Sequence, residues 1–483
     1  MTGTWVLTTD IQFGTDGWRA VLADDFTFDN VRRVAAAVAS YVLKHEDAAR
    51  GMAVGYDTRF ASRRAAELAA ETLAAAGIPV WLSNDYVPTP VVSYTVKHRG
   101  LAAGVVITSS HNPWSWNGLK VKASYGGSAS PAIMKKIEEE LRAPDAQKNA
   151  GPKGTAAKIE AADFKPDYLQ AITGLVEVER IKRAGFKFVI DVMHGSGRGV
   201  LAGIFQQHGI KHLEIRGEVN PLFPGINPEP IEPHVRAAQE AVVRERAHAG
   251  FLSDGDADRI GAVDEKGGFV DAHKIFCILL RWIVARREWP GEVARAFNST
   301  HMADRIASRY GRAMHVTPVG FKYLGALMME RDIVIAAEES GGIGIQRHLP
   351  ERDATLNALL LAGVMAEEGK TLAQLVDQVQ QEFGPHFYLR RDLPVDAAAK
   401  ESAIRRAADD KIGSLGGYKV VRRESIDGVK LYLDAPRERD GAEPWLLFRA
   451  SGTEHLLRLY AEAASPRLVG DILEAGEAFV NTG

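Results

Sequence analysis

The 483-residue chain has very little cysteine, no long apolar run and almost no net charge. Its one cysteine, Cys277, excludes an internal disulfide and fits a reducing compartment. No uninterrupted apolar stretch approaches the ~20 residues that a membrane-spanning helix needs. The segment Met1–Asp10 also lacks the basic and apolar regions of a signal peptide. We therefore expect a cytoplasmic protein without a membrane partner.

The charge balance also limits the class of partner. A net charge of −3 gives no reason to expect binding to nucleic acid, so an anionic ligand would need a local cluster of basic groups.

The length exceeds what one hydrophobic core usually organises, and several domains are expected.

A strand–loop–helix–glycine–strand unit recurs three times along the chain. The units begin near residues 52, 186 and 293 with MAVGYDTR, FKFVIDVMHGSG and VARAFNST. Each is followed by a strand that runs into an unusual loop: GVVITSSHNP, GFLSDGDADRIG and DIVIAAEESGGIG. Alternating strands and helices predict mainly parallel sheets covered by helices, whose ligands collect at the carboxyl ends of strands. We expect these three loops to carry the function.

The pattern changes after about residue 386, where strand-like runs stand close together and a C-terminal helix follows. The sequence thus predicts an α/β fold of three similar domains with mixed, mainly parallel sheets, plus a smaller α+β domain. Residues 144–162 read as a linker. The predicted domains are residues 1–150, 163–265, 266–385 and 386–483.

Three aspartates on alternate residues, Asp254, Asp256 and Asp258, follow an apolar strand. Oxygen ligands that converge in this way favour Mg²⁺ or Ca²⁺ over zinc. A solvated acidic turn is the simplest alternative. An EF-hand is disfavoured, because the sixth position holds Arg259 where that motif needs glycine, and no helix precedes the loop. The pattern favours a metal site.

Two serine hydroxyls and an imidazole lie on the turn Thr108–Pro113, and Lys120 follows shortly after. Ser110 in this turn is a candidate nucleophile, and a lysine screened from water can act as an acid or base. A plain Ser/Thr turn and an ordinary surface charge are the alternatives for these residues taken alone.

Two further loops carry groups suited to a sugar phosphate. Glu338 and Ser340 follow an apolar strand and can hydrogen-bond neighbouring sugar hydroxyls, although a helix start would give the same pattern. A guanidinium, two hydroxyls and a glycine form a phosphate cradle, or alternatively a strand-to-helix turn, at Arg449, Ser451, Gly452 and Thr453. A glycine-rich stretch near residue 13 brings Arg19 toward a phosphate, or is a plain loop.

Taken in order, the motifs FGTDGWR, TSSHNP with NGLK, DGDADR, EESGG and RASGTE resemble the α-D-phosphohexomutase family, which includes phosphoglucomutases and phosphomannomutases. The resemblance covers nearly the whole chain. It implies a fourth domain that closes a central cleft and a sugar monophosphate substrate. It also implies Mg²⁺, with glucose 1,6-bisphosphate as activator and intermediate, in a monomer or homodimer.

The resemblance also implies a role for each matching residue. Ser110 would be the phosphoserine and would complete a magnesium site with the three aspartates. Lys120 would be the general base, with His111 and Arg19 beside the reacting oxygen and Arg259 beside the phosphate. The remaining matches would bind substrate: Glu338 and Ser340 at the sugar 3- and 4-hydroxyls, Gly320 in an orientation-sensing loop, Arg352 at the ligand, and Arg449, Ser451, Gly452, Thr453 and Arg458 at the other phosphate.

Two positions depart from the family pattern. Many phosphomannomutases and phosphoglucosamine mutases end the sugar loop in Ser-Gly-His, where this chain has Gly342, and His455 stands where a proline is frequent. The sugar loop therefore resembles that of phosphoglucomutases. A phosphomannomutase or a dual-specificity enzyme is the alternative, since no residue clearly reads carbon 2. A non-catalytic sugar-phosphate sensor is disfavoured, because Ser110, Lys120 and the aspartates are all present.

Overall fold

The computed structural model describes residues 11–14, 16–143, 156–435, 441–450 and 456–482. The chain divides into two compact units. The first consists of Met1–Phe269 together with Gly342–Glu367, and the second of Val270–Gly341 together with Glu368–Gly483. The chain therefore leaves the first unit and returns to it before the C-terminal part begins.

The first sheet contains seven of the described strands, and four helices accompany it. Its elements are β1 Phe13–Gly14, β2 Gly17–Val21, α1 Phe28–His45, β3 Met52–Tyr56, α2 Ser62–Ala75, β4 Val80–Ser83, α3 Thr89–His98, β5 Ala103–Ile107, β6 Trp116–Ala123, α4 Pro131–Arg142 and β7 Ile159–Ala162. The order is β1-β2-β6-β5-β3-β4-β7. Strands β5, β3, β4 and β7 are parallel, whereas β6, β2 and β1 pair antiparallel.

Burial explains why these segments become strands and helices. All five residues of β3 and of β5 are buried, as expected for parallel strands with both faces covered. Helix α1 begins where the Thr27 hydroxyl accepts from the backbone N–H of Asn30, and its apolar side packs into the same core. Strand β7 pairs with β4 and so joins part of the predicted linker to the first sheet.

The second sheet repeats the parallel arrangement. Its elements are α5 Lys165–Thr173, α6 Val178–Ala184, β8 Lys187–Asp191, α7 Val200–His208, β9 Lys211–Ile215, α8 Arg236–Glu245, β10 Ala249–Ser253, β11 Ile260–Asp264 and β12 Phe269–Val270. The described strands run in the order β12-β11-β10-β8-β9, with β10, β8 and β9 parallel. Strand β10 ends directly before the aspartate loop, and β11 returns antiparallel to it.

In the second unit, the third α/β region contains α9 Ala272–Ala285, β13 Glu292–Ala296, α10 Met302–Arg309, β14 Met314–Thr317, α11 Phe321–Glu330 and β15 Ile333–Ala337. Strand β13 pairs in parallel with both β14 and β15. The segment that belongs to the first unit then contributes β16 Ile343–Ile345 and most of α12 Ala354–Glu368, and α13 Leu372–Phe383 follows.

The C-terminal domain contains β17 Phe387–Pro394, α14 Ala397–Ala408, β18 Ser414–Leu415, β19 Tyr418–Glu424, β20 Val429–Asp434, β21 Trp445–Ala450, β22 Leu456–Ala463 and α15 Pro466–Asn481. Its described strands form an antiparallel sheet in the order β17-β22-β21-β20-β19-β18. The predicted fold class, three α/β domains with mainly parallel sheets and a smaller antiparallel α+β domain, is confirmed. Within the described ranges, no helix is both long and apolar enough to cross a bilayer.

Candidate active site

Ser110 lies in the loop that leaves the carboxyl end of β5, and its side chain is buried. Its backbone has a φ of 52°, a left-handed conformation that costs a non-glycine residue roughly 1–2 kcal/mol. The Oγ atom donates to Asp254 Oδ2 at 2.7 Å, and the backbone N–H donates to Thr108 Oγ1 at 2.9 Å. The surrounding contacts therefore hold the serine in a strained conformation against the aspartate loop.

Arg59 acts as a brace for this loop, because its side chain donates hydrogen bonds to four backbone carbonyls in and just after it. Its buried guanidinium donates to the backbone carbonyls of Ser110 at 2.7 Å and Asn112 at 2.6 Å. It also donates to the carbonyls of Pro113 at 2.9 Å and Trp116 at 3.1 Å. The planar fork of arginine can satisfy several acceptors at once, which lysine cannot do. One side chain thus fixes the backbone on both sides of the serine.

Asp57, at the end of β3, anchors Arg59 in turn. Its carboxylate lies 3.3 Å from Arg59 Nε and accepts the hydroxyls of Thr108 at 2.6 Å and Ser62 at 2.7 Å. Burial raises the pKa of Asp57, although the Arg59 charge opposes this shift. This pair is not among the residues predicted from the sequence, where its one signal is an acidic residue that follows a strand with an arginine two positions later.

Replacing Arg59 with methionine should lower the free energy of unfolding by about 3–5 kcal/mol, because Asp57 would remain as a buried charge without its partner. Urea denaturation would measure the change. The matched control is Arg63→Met, since Arg63 forms an exposed pair with Glu67 and should contribute less than about 1 kcal/mol. Equal stabilities for the two variants would contradict the bracing role.

The three aspartates of the loop after β10 converge as the sequence predicts. Their side chains are buried, and one oxygen of each lies within 4.8 Å of the others. The backbone N–H groups of Asp258 and Arg259 donate to Asp254 Oδ1 at 3.0 and 3.1 Å and curl the loop. Gly255 allows its close approach to the serine, because a Cβ there would meet Ser110 O at 2.4 Å.

The donor set of this loop fits a hard cation. Asp256 Oδ1 and Asp258 Oδ1 are buried and have no hydrogen-bond partner among the described residues. Burial and the charges of Asp256 and Asp258 raise the pKa of Asp254 well above its usual range. A divalent cation would relieve this repulsion and use the unpartnered oxygens, and carboxylate oxygens are the ligands that Mg²⁺ and Ca²⁺ prefer.

Lys120, on β6, lies among the aspartates. Its Nζ atom is 2.8 Å from Asp256 Oδ2, 2.7 Å from Asp258 Oδ2 and 2.9 Å from Asp16 Oδ2. Burial alone would lower the pKa of Lys120, but these carboxylates raise it above its usual value. The lysine is therefore protonated in this arrangement.

Asp16 is a participant that sequence reasoning missed, although it stands inside the quoted FGTDGWR motif. It also contacts Arg352 at 2.5 Å, and Arg352 in turn lies 2.8 Å from Asp258. Burial would raise the pKa of Asp16, but Lys120, Lys122 and Arg352 hold it well below the usual range. Gly17 allows the backbone next to Asp16 to lie close to β6, since its φ is 96° and a Cβ there would meet Leu119 O at 2.3 Å.

Three further basic side chains surround the serine loop. Arg19 donates to Asn112 Oδ1 at 2.7 Å, and His111 Nδ1 lies 3.4 Å from Ser110 Oγ. Burial, with the charges of Arg259, Arg19 and other cations, lowers the pKa of His111 well below its usual range. His111 is therefore a neutral imidazole near pH 7, and the arginines supply positive charge that suits a phosphoryl group.

The structure thus brings one group of predicted residues together in the first unit: Ser110, His111, Lys120, Arg19, Arg259, Arg352, Asp254, Asp256 and Asp258. The second unit contains the other described candidates, which are Gly320, Glu338, Ser340, Arg449 and Arg458. Ser451, Gly452 and Thr453 lie outside the described residues.

Within the second unit, Gly320 has a φ of 128° and directly precedes α11. Glu338 is buried and Ser340 half-buried in the loop after β15. Arg449 and Arg458 are cross-strand partners on β21 and β22. Their guanidinium groups pair with Asp427 at 3.1 Å and Asp392 at 3.7 Å, respectively. The two arginines therefore lie together on the C-terminal sheet.

Four family models match successive parts of the chain. They describe phosphoglucomutase/phosphomannomutase alpha/beta/alpha domain I at residues 10–148, domain II at 166–268 and domain III at 271–383. The phosphoglucomutase/phosphomannomutase C-terminal domain matches residues 394–476. Together these matches cover most of the chain.

Individual relatives align with this chain along nearly their full length. A phosphoglucomutase/phosphomannomutase of Thermococcus kodakarensis is 28% identical, with 96% of this chain and 97% of the relative aligned. A phosphoglucosamine mutase of Limosilactobacillus reuteri is also 28% identical, with 96% of each chain aligned. A crystal structure from Thermus thermophilus, provisionally named a phosphomannomutase, is 32% identical with a TM-score of 0.84 and covers 98% of this chain and 99% of its own.

Proposed function

The chain belongs to the α-D-phosphohexomutase family, and we propose that it interconverts glucose 1-phosphate and glucose 6-phosphate through a phosphorylated Ser110. As a member of that family it is a phosphohexomutase, an isomerase acting on sugar phosphates. The observation that carries the proposal is the buried contact between Ser110 Oγ and the aspartate triad. We further propose a cytoplasmic monomer or homodimer.

Magnesium is the proposed metal, held by Asp254, Asp256 and Asp258 with the oxygen or phosphate of Ser110. When bound, it offsets negative charge on the transferring phosphoryl group. The unpartnered oxygens of Asp256 and Asp258 support this assignment. The chain's own cations, Arg19 and Arg259, would supply further positive charge beside the serine.

The reaction consists of two phosphoryl transfers. In the first, the bond between Ser110 Oγ and phosphorus breaks, and phosphorus bonds to the attacking sugar hydroxyl, which gives glucose 1,6-bisphosphate. In the second, the other phosphate of that intermediate returns to Ser110. In the first transfer the sugar hydroxyl loses its proton and the departing Ser110 Oγ gains one; in the second, Ser110 Oγ loses its proton and the freed sugar oxygen gains one. Atoms and protons therefore balance over one cycle.

Lys120 is the proposed acid and base that transfers these protons, and the neighbouring carboxylates determine its protonation state. Among Asp16, Asp256 and Asp258 it is protonated, which is the form that returns a proton to a leaving oxygen. Because these carboxylates raise the pKa of Lys120, loss of the contacts with Asp256 and Asp258 would lower that pKa and favour its role as a base. His111 is neutral and would orient the serine oxygen through their 3.4 Å contact.

The remaining proposed contacts bind the sugar in both of its orientations. Glu338 and Ser340 would hold the 3- and 4-hydroxyls, with Gly320 in the loop that responds to orientation. The other phosphate would bind to Arg449, Ser451, Gly452, Thr453 and Arg458, and Arg352 would contact the ligand. Gly342, in place of the histidine of many phosphomannomutases and phosphoglucosamine mutases, favours glucose.

Purified protein should show kcat/KM for glucose 1-phosphate at least about 10-fold above that for mannose 1-phosphate or glucosamine 1-phosphate, a ratio that one differing group can supply. The assay contains Mg²⁺ and a trace of glucose 1,6-bisphosphate, and coupled dehydrogenases detect the 6-phosphates. A chelator should abolish turnover, and added Mg²⁺ should restore it. Equal rates with glucose and mannose would establish the dual-specificity alternative, which relatives named phosphoglucomutase/phosphomannomutase favour. No turnover of any of the three would contradict the proposal.

A further inference from the structure

Within the second unit, the third α/β domain (here α9 to β15, with α13) and the C-terminal domain (β17 to α15) share a buried interface. Phe297, which follows β13, packs in one apolar cluster with the C-terminal residues Tyr432, Trp445, Leu447 and Tyr460. The carboxyl end of β13 therefore packs against the C-terminal sheet.

A buried carboxylate reinforces this interface. Glu462, on β22, accepts the backbone N–H of His301 at 2.9 Å and the indole N–H of Trp445 at 3.1 Å, and it also accepts the Thr300 hydroxyl. Fully hydrogen-bonded buried carboxylates fix the relative position of the elements that they join. The interface is therefore specific as well as apolar.

At the edge of this interface, Asp427 connects a loop of the third domain with a phosphate-binding arginine. Asp427 lies in the turn between β19 and β20, and its Oδ2 atom accepts the backbone N–H of Val319 at 2.9 Å. The same oxygen lies 3.1 Å from Arg449 Nε. Val319 directly precedes Gly320. One carboxylate oxygen thus joins the orientation-sensing loop to the proposed phosphate site.

A second carboxylate makes the corresponding connection for the sugar loop. Glu339 stands between the two proposed sugar ligands, and its Oε1 atom lies 3.6 Å from a guanidinium nitrogen of Arg390 on β17. Asn298 donates to its other oxygen at 3.4 Å. Arg390 also donates twice to Asp392, at 2.9 and 3.0 Å, and Asp392 lies 3.7 Å from Arg458. This chain of charges leads from the sugar loop to the second phosphate arginine.

Both connections are partly shielded from water. The side chains of Arg449 and Asp427 are 16% and 26% exposed, and those of Glu339 and Arg390 are 14% and 26% exposed. Ion pairs in such positions are screened less than those on an open surface, and arginine loses little freedom when its fork is already held. These pairs can therefore orient the arginines before substrate binds.

We propose that Asp427 and Glu339 are positioning residues. They hold two loops of the third domain, at residues 319–320 and 338–340, in fixed positions relative to Arg449 and Arg458. The inference rests on the proposed function, since it assigns those loops and arginines to the sugar and its phosphate. A preoriented site loses less free energy to ordering when it binds ligand. Loss of either connection should therefore weaken substrate binding more than it slows the chemical step.

Asp427→Asn is the first test, because asparagine keeps the shape and one acceptor oxygen but removes the negative charge that pairs with Arg449. We expect KM for glucose 1-phosphate to rise about 10-fold, equivalent to ~1.4 kcal/mol, while kcat changes less than about 3-fold. Asp410→Asn is the matched control, since Asp410 is 98% exposed and pairs with Arg423 only at 3.7 Å, outside the proposed sites. An unchanged KM would overturn the inference. So would a lower KM, which would mean that Asp427 competes with phosphate for Arg449.

Arg390→Met tests the second connection, with Arg391→Met as its control on the same strand. Arg391 pairs with Glu477 on a half-exposed surface, and its loss should leave KM unchanged. Arg390→Met should raise KM by about 5–10-fold with near-normal kcat. Equal KM values for the two variants would overturn this part of the inference. If the unmodified enzyme turns over no hexose phosphate, the proposed function fails; if it does and the variants keep its KM, the inference alone fails.

Discussion

Replacement of Ser110 by alanine should lower phosphohexomutase turnover by at least about 1,000-fold while the fold stays intact, because the nucleophile that carries the phosphoryl group is lost. The structure gives this serine a left-handed backbone and a 2.7 Å contact with Asp254. Alanine removes that hydrogen bond and leaves the Arg59 brace unchanged. Steady-state assays with glucose 1-phosphate would measure turnover, and circular dichroism would check the fold.

Ser109→Ala is the matched control for this experiment. Ser109 is buried in the same turn, and its hydroxyl donates to Asn112 Oδ1 at 3.3 Å. Its loss should change turnover far less than the loss of Ser110. Intact-protein mass spectrometry after incubation with glucose 1,6-bisphosphate should find a phosphoryl adduct on the unmodified protein and the Ser109 variant alone. Near-normal turnover by Ser110→Ala would contradict the mechanism.

Replacement of Lys120 by methionine should have the second largest effect. Loss of an acid–base group typically costs about 100- to 10,000-fold in kcat. The same change would leave Asp16, Asp256 and Asp258 without the cation that lies within 3 Å of each. The variant should therefore melt at a lower temperature in chelator, and Mg²⁺ should raise its Tm more than that of the unmodified protein, since the metal would replace the missing charge.

Lys122→Met separates these effects from the loss of any buried lysine. Lys122 lies on the same strand and pairs with Glu351 at 2.7 Å, and its nearest contact with this cluster is Asp16 at 3.9 Å. Its replacement should destabilise the protein without an added response of Tm to Mg²⁺. If both lysine variants respond equally to Mg²⁺, or if Lys120→Met keeps normal kcat, the proposed role of Lys120 is wrong.

The sequence was most informative where the chemistry is local. The aspartate loop lies within five residues, and the Ser110 turn is read from its hydroxyls and its Asn-Pro end, because the side chains that meet are neighbours in the chain. The strand–helix alternation likewise predicted the three α/β regions, since each unit carries its own apolar periodicity. Short-range patterns were therefore sufficient for the fold class and for the metal-ligand candidates.

Contacts between distant segments were not available from the sequence. Asp16 reaches Lys120 because β2 pairs with β6, a register that places Arg19 opposite Gly118. Arg352 joins the same cluster because residues 342–367 return to the first unit. No local pattern specifies either event. The brace formed by Arg59 was missed for the same reason, since the carbonyl groups that accept its hydrogen bonds lie about fifty residues away in the chain.

The discontinuous first unit has a consequence for how the protein is made. Synthesis proceeds from the N-terminus, and domains generally fold as they emerge. The segment that carries Glu351 and Arg352 is translated only after the whole stretch Val270–Gly341. Until then, Asp16 and Lys122 lack two of their buried charge partners. This charge network is thus completed late on the ribosome, so a nascent chain that stalls before residue 351 carries the serine and the aspartates without Glu351 and Arg352.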